Sequence, residues 1–393
     1  MGALDNWEEM TALGLHLLDI PLEPALGKIV LHSVMLKCLD PVLTIACMLA
    51  YKSPFTLSVE QAGRKAGEAA RRRLAAGTGS DHMAMLRAFQ EWQQARAEKK
   101  ERSWCRENQV NNTTMEMVVG IRNQVLAQLR ASGFVRARGS GDIKSINTNS
   151  NNWSLVKACL TSGLYPNVIR VDKEAGQNYV LRTERESKVR LSPGSVLTSS
   201  SVPGLNTEWL LYEEMSRVGR MALVKGVTPI SALTLALFAG SDQAGGVEGA
   251  GNVYLEETSD SEVEEGEANG SSLVTVDTWT VFNSNQETSQ LLSHLRQKWN
   301  GVWSRRLCNT SKQSRLGPDD QDDLIISTLV QVMAIEDIRM GLVQPMGVGQ
   351  RPKHISVDIN TGLVIQPNQR RKPLEASVSS EEDGQLSGLS STR

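Results

Sequence analysis

The fold of this chain changes within residues 153–171, which read WSLVKACLTSGLYPNVIRV. In the first part of this stretch, apolar residues recur every three or four positions, the spacing of one helix face. Gly163 and Pro166 are expected to end that helix. Val168–Val171 then forms an apolar run typical of a strand. The sequence therefore predicts a helical region before this stretch and a region of strands after it.

Helical patterns extend upstream from this point. Residues 26–50 carry apolar residues at helical spacing, and Asp40-Pro41 divides them into two helices as an N-cap and first-turn proline would. Ser80-Asp81 is expected to cap a further helix, and Gly133 to end another.

Downstream, five short strand-like runs fall within about 75 residues, which predicts a small barrel or sandwich. These runs lie at residues 168–171, 179–181, 189–191, 208–213 and 221–227.

An acidic stretch interrupts the chain after the strands. Between Glu256 and Glu267 there are seven acidic residues and no basic one. Such a segment has little apolar surface to bury, so a disordered insertion is predicted. The remaining chain is predicted to form one strand, two helices and a loose tail. These elements are placed at residues 274–282, 291–306, 322–336 and 341–393.

Composition excludes several classes of protein. The 393 residues include 42 lysines and arginines against 44 acidic residues, a net charge of −2, so the chain is not uniformly basic. Its five cysteines are scattered and form no CxxC pair, which argues against a disulfide framework and a zinc cluster. This cysteine usage fits a reducing compartment, and no stretch has the length of a membrane span. We predict a cytoplasmic location, with the nucleus left open, and no membrane partner.

The sequence lacks the familiar motifs of catalysis. It contains no GxxxxGK[ST] loop, no DExH or DExD tetrapeptide and no HExxH or GxSxG pattern. Its five histidines are far apart. We therefore predict no catalytic residue, no metal site and no cofactor in this chain, and no enzymatic activity of the chain alone.

The strongest positive signal is a local excess of basic residues. Residues 60–144 contain 16 lysines and arginines and nine acidic residues. Within them, Arg64, Lys65, Arg71 and Arg72 would share a helix face that could neutralise phosphates. A solvated helix face explains the same pattern, and composition alone does not choose between the two. Arg122, Arg136, Arg138 and Lys144 form a second basic set, with Arg136 and Arg138 on one side of an edge strand.

The strand region carries further candidates for nucleic-acid contact. Lys188 and Arg190 decorate a predicted strand, and Ser192-Pro193-Gly194-Ser195 is a turn whose amides and hydroxyls could hold a phosphate. The same four residues are equally consistent with a plain turn. Tyr179 and Tyr212 are candidates for base stacking, although both also fit half-buried sheet positions.

The order of several short blocks resembles one family. These blocks include 21–28 (PLEPALGK), 38–41 (CLDP), 80–82 (SDH), 163–167 (GLYPN), 192–197 (SPGSVL) and 209–213 (WLLYE). Together they are similar to the region of DEAH-box RNA helicases that follows two RecA-like motor domains and a winged helix. Gln297-Lys298-Trp299 and Gly349-Gln350-Arg351-Pro352 are most similar to the members that contain a YTH domain. Neither the motor domains nor the YTH domain is recognisable in this chain.

The resemblance implies an α+β multidomain chain: a helical ratchet bundle, a five-stranded OB-type β-barrel and a short α/β C-terminal extension. The expected units are the end of a truncated winged helix, the ratchet domain, the OB-fold, the acidic insertion, the extension and the tail. Their expected bounds are 1–23, 24–164, 165–240, 241–272, 273–340 and 341–393.

The resemblance also implies a function. Members of this family hydrolyse ATP to move 3′ to 5′ along RNA, and their ratchet and OB-fold regions form one wall of the RNA channel. ATP and magnesium are therefore expected only together with motor domains. Single-stranded RNA, contacted through its backbone, is the expected partner, and the residues expected to border it are Arg122, Arg136, Arg138, Lys188, Arg190 and Ser195. The alternative is a module that docks protein partners through the OB-fold and the acidic insertion.

Overall fold

A computed structural model describes most of the chain. The described residues are 2–56, 58, 60–135, 144–173, 179–198, 201–240, 254–257, 271–308, 320–349, 356–357 and 364–365. A helical bundle comes first, a mixed sheet follows, and a second sheet with two long helices completes the order. Arg136 and Arg138, and most of the predicted acidic insertion and tail, lie outside the described residues.

The N-terminal region is a bundle of helices, several of which begin at side-chain caps. The side chains of Ser80, Asn111 and Asn152 accept hydrogen bonds from backbone N–H groups in the first turns of their helices. The predicted cap at Ser80 is confirmed, whereas α3 begins at Leu39 and places Asp40 in its first turn. The helices are α1 Ala12–Asp19, α2 Pro24–Met35, α3 Leu39–Tyr51, α4 Gln61–Leu74, α5 Asp81–Ala97, α6 Glu101–Glu107, α7 Asn112–Ala131 and α8 Trp153–Leu164.

Helices α2 and α8 pack against each other at the centre of the bundle. Ile29 on α2 and Trp153 on α8 are almost fully buried. Gly163 lies inside the last turn of α8, where an added Cβ would come within 2.3 Å of the Ala25 carbonyl oxygen. The glycine therefore permits close packing of the two helices. The prediction that Gly163 ends the helix is wrong, because the residue lies inside the last turn.

The second region is an open, seven-stranded mixed sheet. Its strands are β1 Val168–Lys173, β2 Tyr179–Arg182, β3 Val189–Leu191, β4 Trp209–Leu211, β5 Glu214–Val218, β6 Met221–Lys225 and β7 Thr228–Ile230. They lie in the order β5-β6-β3-β2-β1-β4-β7, with β3 and β6 parallel and the other neighbours antiparallel. The predicted closed barrel of five strands is therefore wrong.

The two additional strands have identifiable causes. The run predicted at 208–213 changes partner between two adjacent residues: the Tyr212 N–H donates to the Asn167 carbonyl beside β1, and the Glu213 N–H donates to the Lys225 carbonyl at the end of β6. This switch separates β4 from β5. The Thr228–Ile230 segment pairs with β4 and adds an edge strand that its short length had hidden.

The C-terminal extension contains a three-stranded antiparallel sheet and two long helices. The elements are β8 Tyr254–Glu257, β9 Ser271–Thr275, β10 Val281–Asn285, α10 Gln286–Cys308 and α11 Asp320–Arg339. The single strand predicted at 274–282 is a hairpin, because Asp277 accepts hydrogen bonds from the Trp279 and Thr280 N–H groups and turns the chain. A short helix, α9 Ala232–Phe238, precedes this extension, and a pair of two-residue strands, β11 Ser356–Val357 and β12 Val364–Ile365, follows it.

The extension is anchored to the bundle by buried polar contacts. The His32 ring on α2 stacks on Trp303 of α10 at 3.7 Å between centroids. Lys157 on α8 and Asp337 on α11 form an ion pair of 2.6 Å whose side chains are 2% and 0% exposed. Within the described residues, each helix is too short or too polar to traverse a bilayer.

Candidate nucleic-acid interface

The helical bundle and the mixed sheet meet at the N-terminus of α5. Asp81, the first residue of this helix, places its carboxylate against the sheet. It accepts hydrogen bonds from the Val196 N–H at 2.6 Å, the Val227 N–H at 2.8 Å and the Ser195 hydroxyl at 2.8 Å. Burial raises the pKa of Asp81, and these donors act in the opposite direction. The carboxylate thus holds two loops of the sheet on the end of one helix.

A second set of contacts lies beside the first. The Thr228 hydroxyl is hydrogen-bonded to the Ser80 hydroxyl at 2.6 Å and to Nδ1 of His82 at 2.7 Å. His82 is fully buried, and this burial lowers its pKa to about 4, so its ring is neutral near pH 7. The junction is therefore fixed by one carboxylate, three hydroxyls and a neutral imidazole.

Arg71 on α4 reaches the same junction from the opposite side. Its Nη1 donates to the Gly194 carbonyl at 3.0 Å, and its Nε donates to the Gly67 carbonyl. Its guanidinium also lies 5.7 Å from the centroid of the Phe55 ring. Burial lowers the pKa of Arg71, and Asp81 and Glu68 oppose this effect. This cation is a structural contact to the Ser192–Ser195 turn.

A cavity of about 520 Å³ opens beside these contacts, which we call the seam pocket. Its wall on the bundle side combines apolar and aromatic side chains with the charged groups of Lys52, Arg71 and Asp81. Its wall on the sheet side carries hydroxyl and carboxylate groups and Lys225. It is defined here by Met48, Tyr51, Phe55, Met85, Ser192 and Glu213. Ligand sites in proteins commonly have this size and this mixture of an apolar wall with a few polar groups.

A strip of exposed polar residues leads along the sheet to the seam pocket. Lys188, Arg190 and Ser192 alternate with buried or half-buried residues on and around β3, so they lie on one face of the strand. Both cations are exposed. The Ser192 N–H donates to the Val224 carbonyl at 2.8 Å, which continues the β3–β6 pairing into the turn. Lys188, Arg190 and the turn therefore follow one another along the same strand.

The other predicted contacts have different surroundings. Ser195 lies at the turn, but its hydroxyl donates to Asp81. Arg122 lies on α7, where it donates to the carboxylate and carbonyl of Asp40 and to the Thr44 hydroxyl, and its guanidinium is 5.4 Å from the Phe89 ring centroid. Its side chain is 15% exposed. Arg136 and Arg138 fall outside the described residues.

The basic face predicted on α4 is divided in the structure. Arg64 and Lys65 are exposed, Arg71 points to the sheet, and Arg72 pairs with Glu68. The neighbouring Arg73 donates to both oxygens of Glu91 and to Asn108. Only part of the charge predicted for this helix is therefore presented to solvent.

The two tyrosines considered for base stacking occupy the sheet positions that the sequence also fitted. Tyr212 is only 6% exposed and packs in the core of the sheet, so it is not a stacking residue, while Tyr179 is half-buried against that core. Tyr51 and Phe55, which line the seam pocket, were missed. Glu213 was also missed. No sequence signal marks these three residues, because the pocket forms only where segments distant in the chain meet.

Within the described residues, no cluster of three or more His, Cys, Asp or Glu side chains could hold a metal ion.

Comparisons with known proteins match both regions that meet at this junction. Residues 23–85 match the family described as helicase associated domain (HA2), ratchet-like, and residues 156–241 match the oligonucleotide/oligosaccharide-binding (OB)-fold family. The two matches place Asp81 in the first family and its sheet partners in the second.

Similar proteins are helicases from several organisms. The chain is 31% identical over 303 residues to the ATP-dependent DNA/RNA helicase DHX36 of Rattus norvegicus, an alignment that covers 76% of this chain and 28% of that protein. It is 33% identical over 241 residues to the DExH-box ATP-dependent RNA helicase DExH1 of Arabidopsis thaliana, which covers 61% and 23%. The chain spans less than a third of the length of these relatives. These matches support its assignment to the helicase-associated and OB-fold region found toward the C-terminus of DEAH-box helicases.

Proposed function

We propose that this chain binds single-stranded RNA and serves as the RNA-handling region of an ATP-dependent 3′–5′ helicase. The observation that carries the proposal is the strip formed by exposed Lys188 and Arg190 and half-buried Ser192, which ends at the seam pocket between the two matched regions. Lysine and arginine side chains on such a strip neutralise phosphates without reading base sequence. Hydrolysis of ATP, with its magnesium ion, would belong to motor domains.

The path of the RNA follows from the placement of these groups. Lys188 and Arg190 would contact successive phosphates along β3, and the Ser192–Ser195 turn would contact the chain where it enters the junction. Arg136 and Arg138, which lie outside the described residues, are further candidate contacts. Arg122 would act indirectly, by holding α7 against α3 through Asp40.

Two finer assignments belong to the same proposal. The similarity of Gln297-Lys298-Trp299 and Gly349–Pro352 to YTH-containing helicases supports a place near those members of the family. A cytoplasmic location, with access to the nucleus, would suit a protein that acts on RNA.

The test is RNA binding by the purified chain, measured as fluorescence anisotropy of a labelled 12-nucleotide single strand at several salt concentrations. For single strands, each neutralised phosphate contributes about 0.7 to the slope of log affinity against log salt, so Lys188→Ala with Arg190→Ala should reduce the slope by about 1.4. Arg136→Ala with Arg138→Ala should also weaken binding and flatten the slope.

A matched control removes two cations from another part of the same sheet. Lys173→Ala with Arg220→Ala changes the net charge equally at exposed positions at the end of β1 and beside β5. The control should keep the original slope. If the slope decreased equally in the test and control variants, RNA binding would be nonspecific charge attraction and the proposed contact along β3 would be wrong. No binding by a folded sample at low salt would favour the protein-docking alternative.

A further inference from the structure

Glu213 in the seam pocket has an unusual position for a carboxylate. Its side chain is 24% exposed, and it lies between β4 and β5. Its backbone is fixed, because the N–H donates to the Lys225 carbonyl at 3.0 Å and the carbonyl accepts from Asn167 Nδ2 at 3.2 Å. The side chain therefore leaves a rigid point of the sheet and reaches the pocket.

The Glu213 carboxylate has unused capacity to accept hydrogen bonds. Among the described residues, no donor lies within hydrogen-bond distance of its oxygens, and Lys225 Nζ is 4.0 Å from Oε1. That ammonium group is instead 2.5 Å from Oε2 of Glu214. Burial raises the pKa of Glu213, with Lys225 opposing the shift and Glu214 and Asp81 adding to it. A partly desolvated acceptor without a donor is a group suited to a ligand that brings donors.

The charges around the pocket argue against a phosphate as this ligand. Arg71 is already engaged by carbonyl groups, Lys225 is engaged by Glu214, and Lys52, the third cation of the lining, lies 5.3 Å from the centroid of the Tyr51 ring. Glu213 itself would repel an anion that entered the cavity. The phosphates of a bound strand would therefore remain near Lys188 and Arg190, outside the pocket.

The opposite wall suits a flat, uncharged group. Met48 and Met85 are buried, and Tyr51 and Phe55 contribute aromatic surface. Single-stranded RNA is commonly recognised by bases that leave the stack, pack against such surfaces and form hydrogen bonds through their Watson–Crick edges. A volume of about 520 Å³ is sufficient for one nucleobase.

We propose that the seam pocket receives one unstacked guanine base, with the Glu213 carboxylate accepting hydrogen bonds from the N1–H and the 2-amino group of that base. Guanine presents two adjacent donors on this edge, which match the two oxygens of a carboxylate. Adenine, cytosine and uracil each present fewer donors there. This inference rests on the proposed function, because it assumes that the phosphates run along β3.

The test compares three 12-nucleotide RNAs that consist of uridine with one central guanosine, inosine or adenosine, so that none of them is self-complementary. Inosine keeps N1–H and lacks the 2-amino group. Lithium salts suppress association of the guanine strands. The guanosine strand should bind at least about tenfold more tightly than the other two, the range expected for loss of a two-point base contact.

A pair of variants separates base reading from charge. Glu213→Gln replaces one acceptor oxygen by a donor, so it should abolish the preference for guanosine while affinity for the adenosine strand changes less than about twofold. Glu208→Gln removes the same charge from an exposed position of the sheet and should keep the preference. Thermal unfolding of both variants verifies that they are folded.

The possible failures are distinguishable. Salt-dependent binding with equal affinity for all three strands would overturn the guanine pocket and leave the proposed function intact. No binding of any strand by folded protein would overturn both. Equal RNA affinities together with Glu213-dependent binding of a labelled peptide of four arginines would assign the pocket to a protein partner instead, and would also overturn the inference.

Discussion

Two buried carboxylates join distant parts of this molecule, and they do so by different means. Asp337 connects α11 to the bundle through a direct ion pair with Lys157, where both side chains are almost fully buried. Asp81 connects the bundle to the sheet through two backbone N–H groups and a hydroxyl. The side chains of the first contact are shielded from solvent, whereas Asp81 lines the seam pocket. The comparison suggests that the extension is an anchored support and that the junction is the place where a ligand can enter.

The anchor should be the more costly contact to break. Burial lowers the pKa of Lys157, and Asp337 opposes this shift. The two charges therefore stabilise each other, and either charge buried without its partner would destabilise the folded protein. Lys157→Met should destabilise the protein by roughly 3–5 kcal/mol, because Asp337 is left without its counter-charge. Urea unfolding measures this loss. The double variant Lys157→Met with Asp337→Leu should recover most of it; a double variant no better than the single one would contradict the explanation.

Asp81→Ala should have the second largest effect. It should lower the free energy of unfolding by about 2–3 kcal/mol, because the Val196 and Val227 N–H groups lose their acceptor. The same urea titration applies. Asp81→Asn keeps one carbonyl oxygen of similar position and should lose less. If the asparagine and alanine variants were equally destabilised, the hydrogen bonds to the two loops would not be the source of the effect.

The junction should also respond to pH through His82. Its pKa is about 4 in the folded protein and near 6.5 when unfolded, so the unfolded chain binds more protons between these values and stability falls as the pH falls. Between pH 7 and pH 5, protonation of this group in the unfolded chain should lower the free energy of unfolding by about 2 kcal/mol. His82→Gln should lack that part of the pH dependence. Parallel stability curves for the variant and the original chain would show that the imidazole is not the titrating group.

The smallest expected effect concerns two glycines of the same sheet. Gly226 and Gly219 have positive φ angles of 65° and 63°, but a Cβ at Gly226 would lie 2.5 Å from Cβ of Glu213, while a Cβ at Gly219 would meet nothing within 4 Å. Gly219→Ala should therefore cost about 1 kcal/mol from backbone strain alone. Gly226→Ala should cost more and should displace Glu213. Equal losses of stability in the two variants would mean that the sheet accommodates the added methyl group.

Local patterns predicted much of the bundle but little of the junction. The caps and apolar spacing of α5 and α8 are properties of short segments, and the predicted helices are present. Asp81 looked like an ordinary first-turn acid, because its three donors come from residues more than 100 positions away. Arg71 likewise looked like part of an exposed basic face, since the glycine carbonyl that it contacts lies in another region.

The sheet shows the same limit. The sequence predicted five strands because a continuous apolar run hides the change of partner between Tyr212 and Glu213, which depends on hydrogen bonds to Asn167 and Lys225. That change is also what directs Glu213 toward the seam pocket. Lys188 and Arg190, whose exposure follows from simple alternation along β3, were predictable for the opposite reason.

The most direct test of the account is to map where RNA lies on the protein. A single strand containing 4-thiouridine, cross-linked to the full chain and analysed by mass spectrometry of the peptides, reports contacts without any substitution. We expect cross-links in residues 188–195 and 51–55, on the two sides of the junction. Cross-links confined to α10 and α11, or to the N-terminal residues 2–35, would show that RNA follows another path and would contradict the account.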